Sequence, residues 1–121
     1  MAVVSQELAL RYLLELSTDI RVALLLSPEG DLLAAAPERP RDSALRSAVE
    51  LVRSVANAAG NNAPTLEADL RLERGSVFLV RERDRTLVCV TGPFALPGLI
   101  LHDMRAVLDD LERGGTEAPA P

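Results

Sequence analysis

Tryptophan and lysine are absent from this sequence, and its 121 residues hold one cysteine, one histidine, one tyrosine and two phenylalanines. Each scarcity excludes something. With aromatic residues at 2%, little is available to stack on nucleic-acid bases or to anchor a ligand in a pocket. The core has to be built from Leu, Val, Ile and Ala. A lone cysteine gives no internal disulfide framework and no multi-cysteine zinc site. A lone histidine gives no His-Glu-x-x-His metal motif. No stretch approaches the roughly 20 apolar residues of a membrane span. The N-terminus lacks a basic region followed by an apolar run and a cleavage site, so the expected compartment is the cytoplasm. The net charge of -5 opposes phosphate backbones, and no nucleic-acid partner is expected.

What is present suits one globular domain: 48% hydrophobic and 26% charged residues, in a chain too short for two cores. Ser5 to Ser17 predicts a helix. Glu7, Arg11 and Glu15 recur at four-residue spacing as a narrow charged stripe. Leu8, Leu10, Tyr12, Leu13, Leu14 and Leu16 fill most of the remaining circumference, so a second helix or a second subunit should cover it. Val22 to Leu26 is an unbroken apolar run, the pattern of a strand buried on both faces. Ser27-Pro28-Glu29-Gly30 turns the chain, and Leu32 to Ala36 returns as the second strand of a hairpin.

Asp42 or Ser43 caps a middle helix that runs to about Ala59 and stops at Gly60. Arg46, Ser47, Glu50, Arg53, Ser54 and Asn57 share its polar side. Its apolar arc spans roughly 180°, where packing on one sheet needs roughly 100°. That surplus suits either a partner along one edge or an Ala-rich helix sunk deep in its own domain. Next, Leu66, Ala68, Leu70 and Leu72 alternate with Glu67, Asp69, Arg71 and Glu73, the period of a strand with one wet face. Arg74-Gly75 turns it. A strand from Val77 to Val80, a turn at Arg83-Asp84-Arg85 and a strand from Thr86 to Thr91 complete an antiparallel meander. Pro97 opens a final helix reaching about Leu111. Its apolar stripe is Ile100, Leu101, Met104, Val107, Leu108 and Leu111. Residues 113–121 are expected to be a disordered tail, which leaves a domain of residues 1–112. The order helix-β-β-helix-β-β-β-helix is that of an α+β fold.

No residue pattern points to catalysis. His102 and Asp103 are helix neighbours that point about 100° apart. Cys89 sits in an apolar strand, the setting of an inert thiol. The stretch Arg81 to Arg85 carries Glu82 and Asp84 between its arginines and reads as a solvated hairpin turn rather than a nucleic-acid contact. No catalytic residue, metal site or cofactor is expected.

The hairpin from Val22 to Ala34, the meander from Leu70 to Val90 and the Pro97-Gly98-Leu99 entry to the last helix resemble the roadblock/dynein light chain (LC7) family, prokaryotic type. The resemblance spans Ser5 to Leu111. It implies a five-stranded antiparallel sheet with the middle helix on one face and the terminal helices on the other. It also implies a homodimer paired through the middle helix and the strand after it, at Leu45, Ala48, Val49, Val52, Ala56, Leu66, Ala68 and Leu70. Prokaryotic members commonly regulate Ras-like small GTPases, which makes Arg46, Glu50 and Arg53 candidate partner contacts. The plainer reading, and the favoured one, is that Arg46 and Arg53 pair with Glu50 on a solvated face. The function expected is therefore a non-enzymatic regulatory adaptor. The alternative is a small-ligand sensor of the PAS or GAF type, against which the scarce aromatics and few inward polar groups count.

Overall fold

A computed structural model describes residues 6–17, 19–27, 31–37, 50, 51, 54, 65–72, 75–82 and 85–116. In chain order its elements are α1 (Gln6–Leu16), β1 (Ile20–Leu26), β2 (Leu32–Ala36), β3 (Thr65–Leu72), β4 (Gly75–Glu82), β5 (Arg85–Thr91) and α2 (Pro97–Thr116). Of the expected middle helix, Glu50, Leu51 and Ser54 are described and are helical. The cap at Asp42 or Ser43 and the stop at Gly60 lie outside the described residues.

The apolar runs decide strand position. β1, β4 and β5 carry consecutive buried residues, Ala23 to Leu26, Val77 to Val80 and Leu87 to Cys89. Strands buried on both faces belong inside a sheet. The strand order is β2-β1-β5-β4-β3, and every neighbouring pair is antiparallel. The alternating, charged β3 takes one edge and short β2 the other.

Residues paired across strands share a face, and this sorts the core into two layers. On one face Ala23, Leu25, Phe78, Val80, Leu87 and Cys89 pack against Leu10 and Leu13 of α1 and Ile100, Met104 and Leu108 of α2. On the other, Leu24, Leu26, Ala35, Val77, Leu79 and Val88 form a second cluster, with Leu51 packed against it. The terminal helices thus cover one face, and the helix that carries Leu51 lies on the opposite one. Each fully buried Leu or Val contributes about 1.5–3 kcal/mol relative to exposure.

Two boundaries differ from the sequence pattern. β4 extends to Glu82 and β5 begins at Arg85, with Arg81 opposite Thr86 and Glu82 opposite Arg85. The expected turn at Arg81 to Arg85 is therefore mostly strand, because backbone pairing continues past the last apolar side chain. Helix α2 reaches Thr116, past the expected end at Leu111 and into the stretch expected to be tail. Gly114 and Gly115 are poor helix formers, but Leu111 is buried and holds the preceding turn against the sheet. Residues 117–121 lie outside the described residues.

At the β3–β4 hairpin the glycine is required. A Cβ on Gly75 would stand 2.0 Å from the backbone oxygen of Thr91 on β5. Gly75→Ala is expected to lower unfolding stability by about 1–3 kcal/mol through overpacking. Thermal unfolding followed by circular dichroism checks this, and an unchanged midpoint would refute the close approach.

Candidate protein-interaction site

The edge strand β3 gathers the described part of the predicted site. Along it, alternate residues turn their backbone N–H and C=O groups away from β4. Among the described residues no strand lies on that side. Leu70 is opposite Val77, and Ala68 is opposite Leu79. Both therefore face the layer that Leu51 covers, and Ala68 packs against it. Leu70 remains 41% exposed. Glu67, Asp69 and Arg71 take the other face and are exposed, as the charged alternation of the strand implied. Arg105 of α2 reaches over the sheet to form an ion pair with Glu67.

The remaining predicted contacts divide simply. Glu50 is exposed on its helix. Leu66 lies on β3, with its side chain outside the described set. Leu45, Arg46, Ala48, Val49, Val52, Arg53 and Ala56 also lie outside the described residues. What is visible joins β3 to the Leu51 helix through one shared apolar layer.

Other apolar side chains reach solvent. Leu8, Tyr12 and Leu16 recur at four-residue spacing along α1 and are 59%, 54% and 47% exposed. Helix α1 packs on β1, β2 and α2, so the second helix expected over it is present. Its broad apolar surface is covered only in part. On β2, Leu32 and Leu33 are exposed. The register shifts between Leu25 and Leu26, leaving Leu33 without an opposite residue on β1. Phe94 and Leu96, between β5 and α2, are exposed as well. Sequence reasoning passed over these two because they follow Gly92-Pro93 and belong to no periodic segment. Their signal was two large apolar residues in a link that contained nothing to bury them.

The groups weighed for chemistry differ in burial. Cys89 is fully buried, and loss of solvation pushes its thiol far above the ordinary range, so it holds its proton. His102 is exposed on α2. Among the described residues no group of three or more His, Cys, Asp or Glu could hold a metal ion. Every buried side-chain polar atom among them has a hydrogen-bond partner. Thr91 on β5, for example, donates its hydroxyl to the carbonyl oxygen of Gly92 at 3.0 Å.

No family model matches the sequence, and no curated protein matches it. Solved structures do resemble the fold. A roadblock/LC7 domain from Streptomyces avermitilis superposes with a TM-score of 0.71 at 19% identity, over 88% of this chain and 98% of that one. Myxococcus xanthus MglB superposes with a TM-score of 0.68 at 16% identity, over 88% of this chain and 91% of its own. The chain has the roadblock/LC7 fold. Profilin IB of Acanthamoeba castellanii shares the frame at a TM-score of 0.65 and 15% identity, covering 91% of this chain and 99% of that one. A fold shared this widely carries no function of its own, so function has to be argued from surface residues.

One such surface feature is electrostatic. Glu82, half-buried at the end of β4, has its carboxyl pushed up by loss of solvation, then by the charge of Asp109 and a hydrogen bond with it, then by Glu112. Arg105 partly opposes this. The folded state therefore binds a proton at Glu82 more tightly than the unfolded chain. The charge destabilises the fold above the raised pKa, and the penalty fades as pH falls through it toward the unfolded value. Glu82→Gln is expected to raise stability at pH 7 by about 0.2–1 kcal/mol, the scale of a relieved like-charge contact. Thermal melts across a pH series should show the gain shrinking as the wild-type carboxyl becomes protonated. A gain that persisted unchanged at acid pH would refute this origin.

Proposed function

We propose that this chain is a non-enzymatic, homodimeric, cytoplasmic adaptor that binds and modulates a Ras-like small GTPase or its signalling assembly, without a cofactor. The observation that carries the reading is a roadblock/LC7 fold matched over nearly the whole of its neighbours, MglB included. A second MglB structure is described as having a tetrameric arrangement, which supports assembly as a property of this fold. Surface features support the same reading. β3 offers an outer edge that no strand among the described residues pairs, and an exposed leucine beside the layer that Leu51 covers. An unprotected edge invites pairing with another chain. No helix among the described residues is long and apolar enough to cross a membrane.

In this reading Leu45, Ala48, Val49, Val52 and Ala56 of the middle helix and Leu66, Ala68 and Leu70 of β3 form the dimer contact. Arg46, Glu50 and Arg53 face the GTPase. The effect on hydrolysis is indirect, through ordering of the GTPase's own switch loops.

Light scattering tests the assembly directly. The wild type is expected to be a dimer at micromolar concentration, and Val52→Asp or Leu70→Asp a folded monomer. Calorimetry with a Ras-like GTPase from the same genome, loaded with GDP or a non-hydrolysable GTP analogue, tests the partner. Tighter binding to one nucleotide state is expected. A monomeric wild type overturns the assembly, and the absence of heat with either nucleotide overturns the partner.

A further inference from the structure

We propose that the link between β5 and α2 is a membrane-contacting tip, in which Phe94, Leu96 and Leu99 enter the interfacial layer of a phospholipid surface while Arg21 receives a lipid phosphate. This goes beyond the GTPase reading and stands or falls separately from it.

From Gly92 to Leu101 the sequence reads Gly-Pro-Phe-Ala-Leu-Pro-Gly-Leu-Ile-Leu, without one polar side chain. Ala95 packs against the core. Its neighbours Phe94 and Leu96 are left on the outer side, 83% and 66% exposed. The N–H of Ile100 donates to the carbonyl oxygen of Leu96 at 3.0 Å and closes the first turn of α2. That turn sets Leu99, also exposed, beside Leu96 on the helix surface. The N–H of Gly92 donates to the carbonyl oxygen of Asp19 at 2.9 Å. The end of α1, with exposed Leu16, therefore lies at the same end of the sheet. Large apolar side chains gathered in this way mark an interaction surface.

A cation stands beside this link. Ile20 of β1 lies opposite Thr91 and Val22 opposite Val90, so Arg21 is the extra residue of a β-bulge. A Cβ on Gly92 would lie 3.2 Å from one terminal nitrogen of Arg21 and 3.6 Å from its Cζ and Nε. The guanidinium thus lies flat across the glycine, two residues before Phe94. Arg21 is exposed, and no hydrogen bond or ion pair occupies it among the described residues. Its N–H groups are free for an oxyanion, and phosphate suits the guanidinium fork.

Three features favour a lipid surface over a protein partner. A protein interface rims its apolar centre with polar groups and makes about one hydrogen bond per 100–200 Å², and this link has no polar side chain to give. Pro93 and Pro97 have no N–H, and the N–H groups of Gly92 and Ile100 are bonded within the chain, which lowers the cost of taking this backbone out of water. Phe94 stands clear of its own chain and would need a matching pocket on a protein, whereas acyl chains close around any shape. Glu15, Asp19 and Asp103 lie on the flanking elements, and the net charge is -5. The contact is therefore with the phosphate of a zwitterionic lipid rather than with an anionic surface. No helix among the described residues is long and apolar enough to cross a membrane, so the chain rests on the surface.

Co-sedimentation with phosphatidylcholine vesicles tests this. The wild type should bind at millimolar lipid. The double variant Phe94→Ser with Leu96→Ser should bind about tenfold more weakly or less, the scale of withdrawing two large apolar side chains. Arg21→Gln should weaken binding several-fold. Leu33→Ser, at an exposed leucine on β2, should leave it unchanged. Circular dichroism should show all of these folded, since each side chain is exposed. The sequence has no tryptophan, so Phe94→Trp places a single reporter at the tip. Its emission should shift to the blue with vesicles and be quenched by lipids brominated along their acyl chains.

A wild type that does not bind vesicles overturns the proposal. So does binding that survives the double serine variant, that Leu33→Ser weakens equally, or that leaves the tryptophan unquenched. Loss of GTPase binding in the double serine variant, with no vesicle binding by the wild type, assigns the tip to a protein partner and overturns it as well. Vesicle binding by a chain that ignores the GTPase keeps this proposal and overturns only the GTPase reading, whose contacts lie on the middle helix.

Discussion

The structure depends on burying β1, β4 and β5 on both faces at once. These strands carry long runs of Leu, Val and Ala with one phenylalanine among them, so neither face can be left to water. Aliphatic side chains reach only a short way above a sheet. Each face therefore needs its own covering layer, set close down on the strands. Leu10 and Leu13 of α1 with Ile100, Met104 and Leu108 of α2 supply one, and Leu51 marks the other. Where the two layers run out, at the sheet edges, β3 turns charged on one face, and Leu32, Leu33 and Leu70 reach solvent.

That demand on both faces also shapes the surface. With the two sheet faces used for the core, the parts left for partners are the edges, the outer sides of the helices and the links. Edge strand β3 places charge on one face and leucine on the other. The scarcity of aromatic residues leaves few large anchors for an enclosed ligand. A partner read through backbone pairing and charge needs fewer large anchors than a ligand enclosed in a pocket.

The acidic groups show how the terminal helix joins the two regions. α2 carries Arg105 to Glu67 on β3, and Asp109 to Glu82 on β4. One contact is attractive and the other repulsive, within about one helical turn. Glu67 is thereby neutralised on the charged face of β3. The surface charge of α2 therefore reaches beyond its own solvated face.

Much of the fold was legible along the chain because each signal was local. Unbroken apolar runs marked the strands buried on both faces, strict alternation marked β3, and the stripe from Ile100 to Leu111 marked the buried side of α2. Strand ends were less legible. Arg81, Glu82 and Arg85 are polar, and a polar residue pairs through its backbone as readily as an apolar one. The candidate site was legible as residue types on β3 and not as a geometry. The sequence by itself determined which side chains alternate on β3, that Cys89 sits in an apolar strand, and the order of the elements. Only the tertiary structure decided that β3 lies at an edge of the sheet among the described residues, that Arg105 is close enough to hold Glu67, and that Phe94 and Leu96 are exposed. Periodicity belongs to neighbours in the chain, whereas edges, ion pairs and exposure arise between segments that the chain holds far apart.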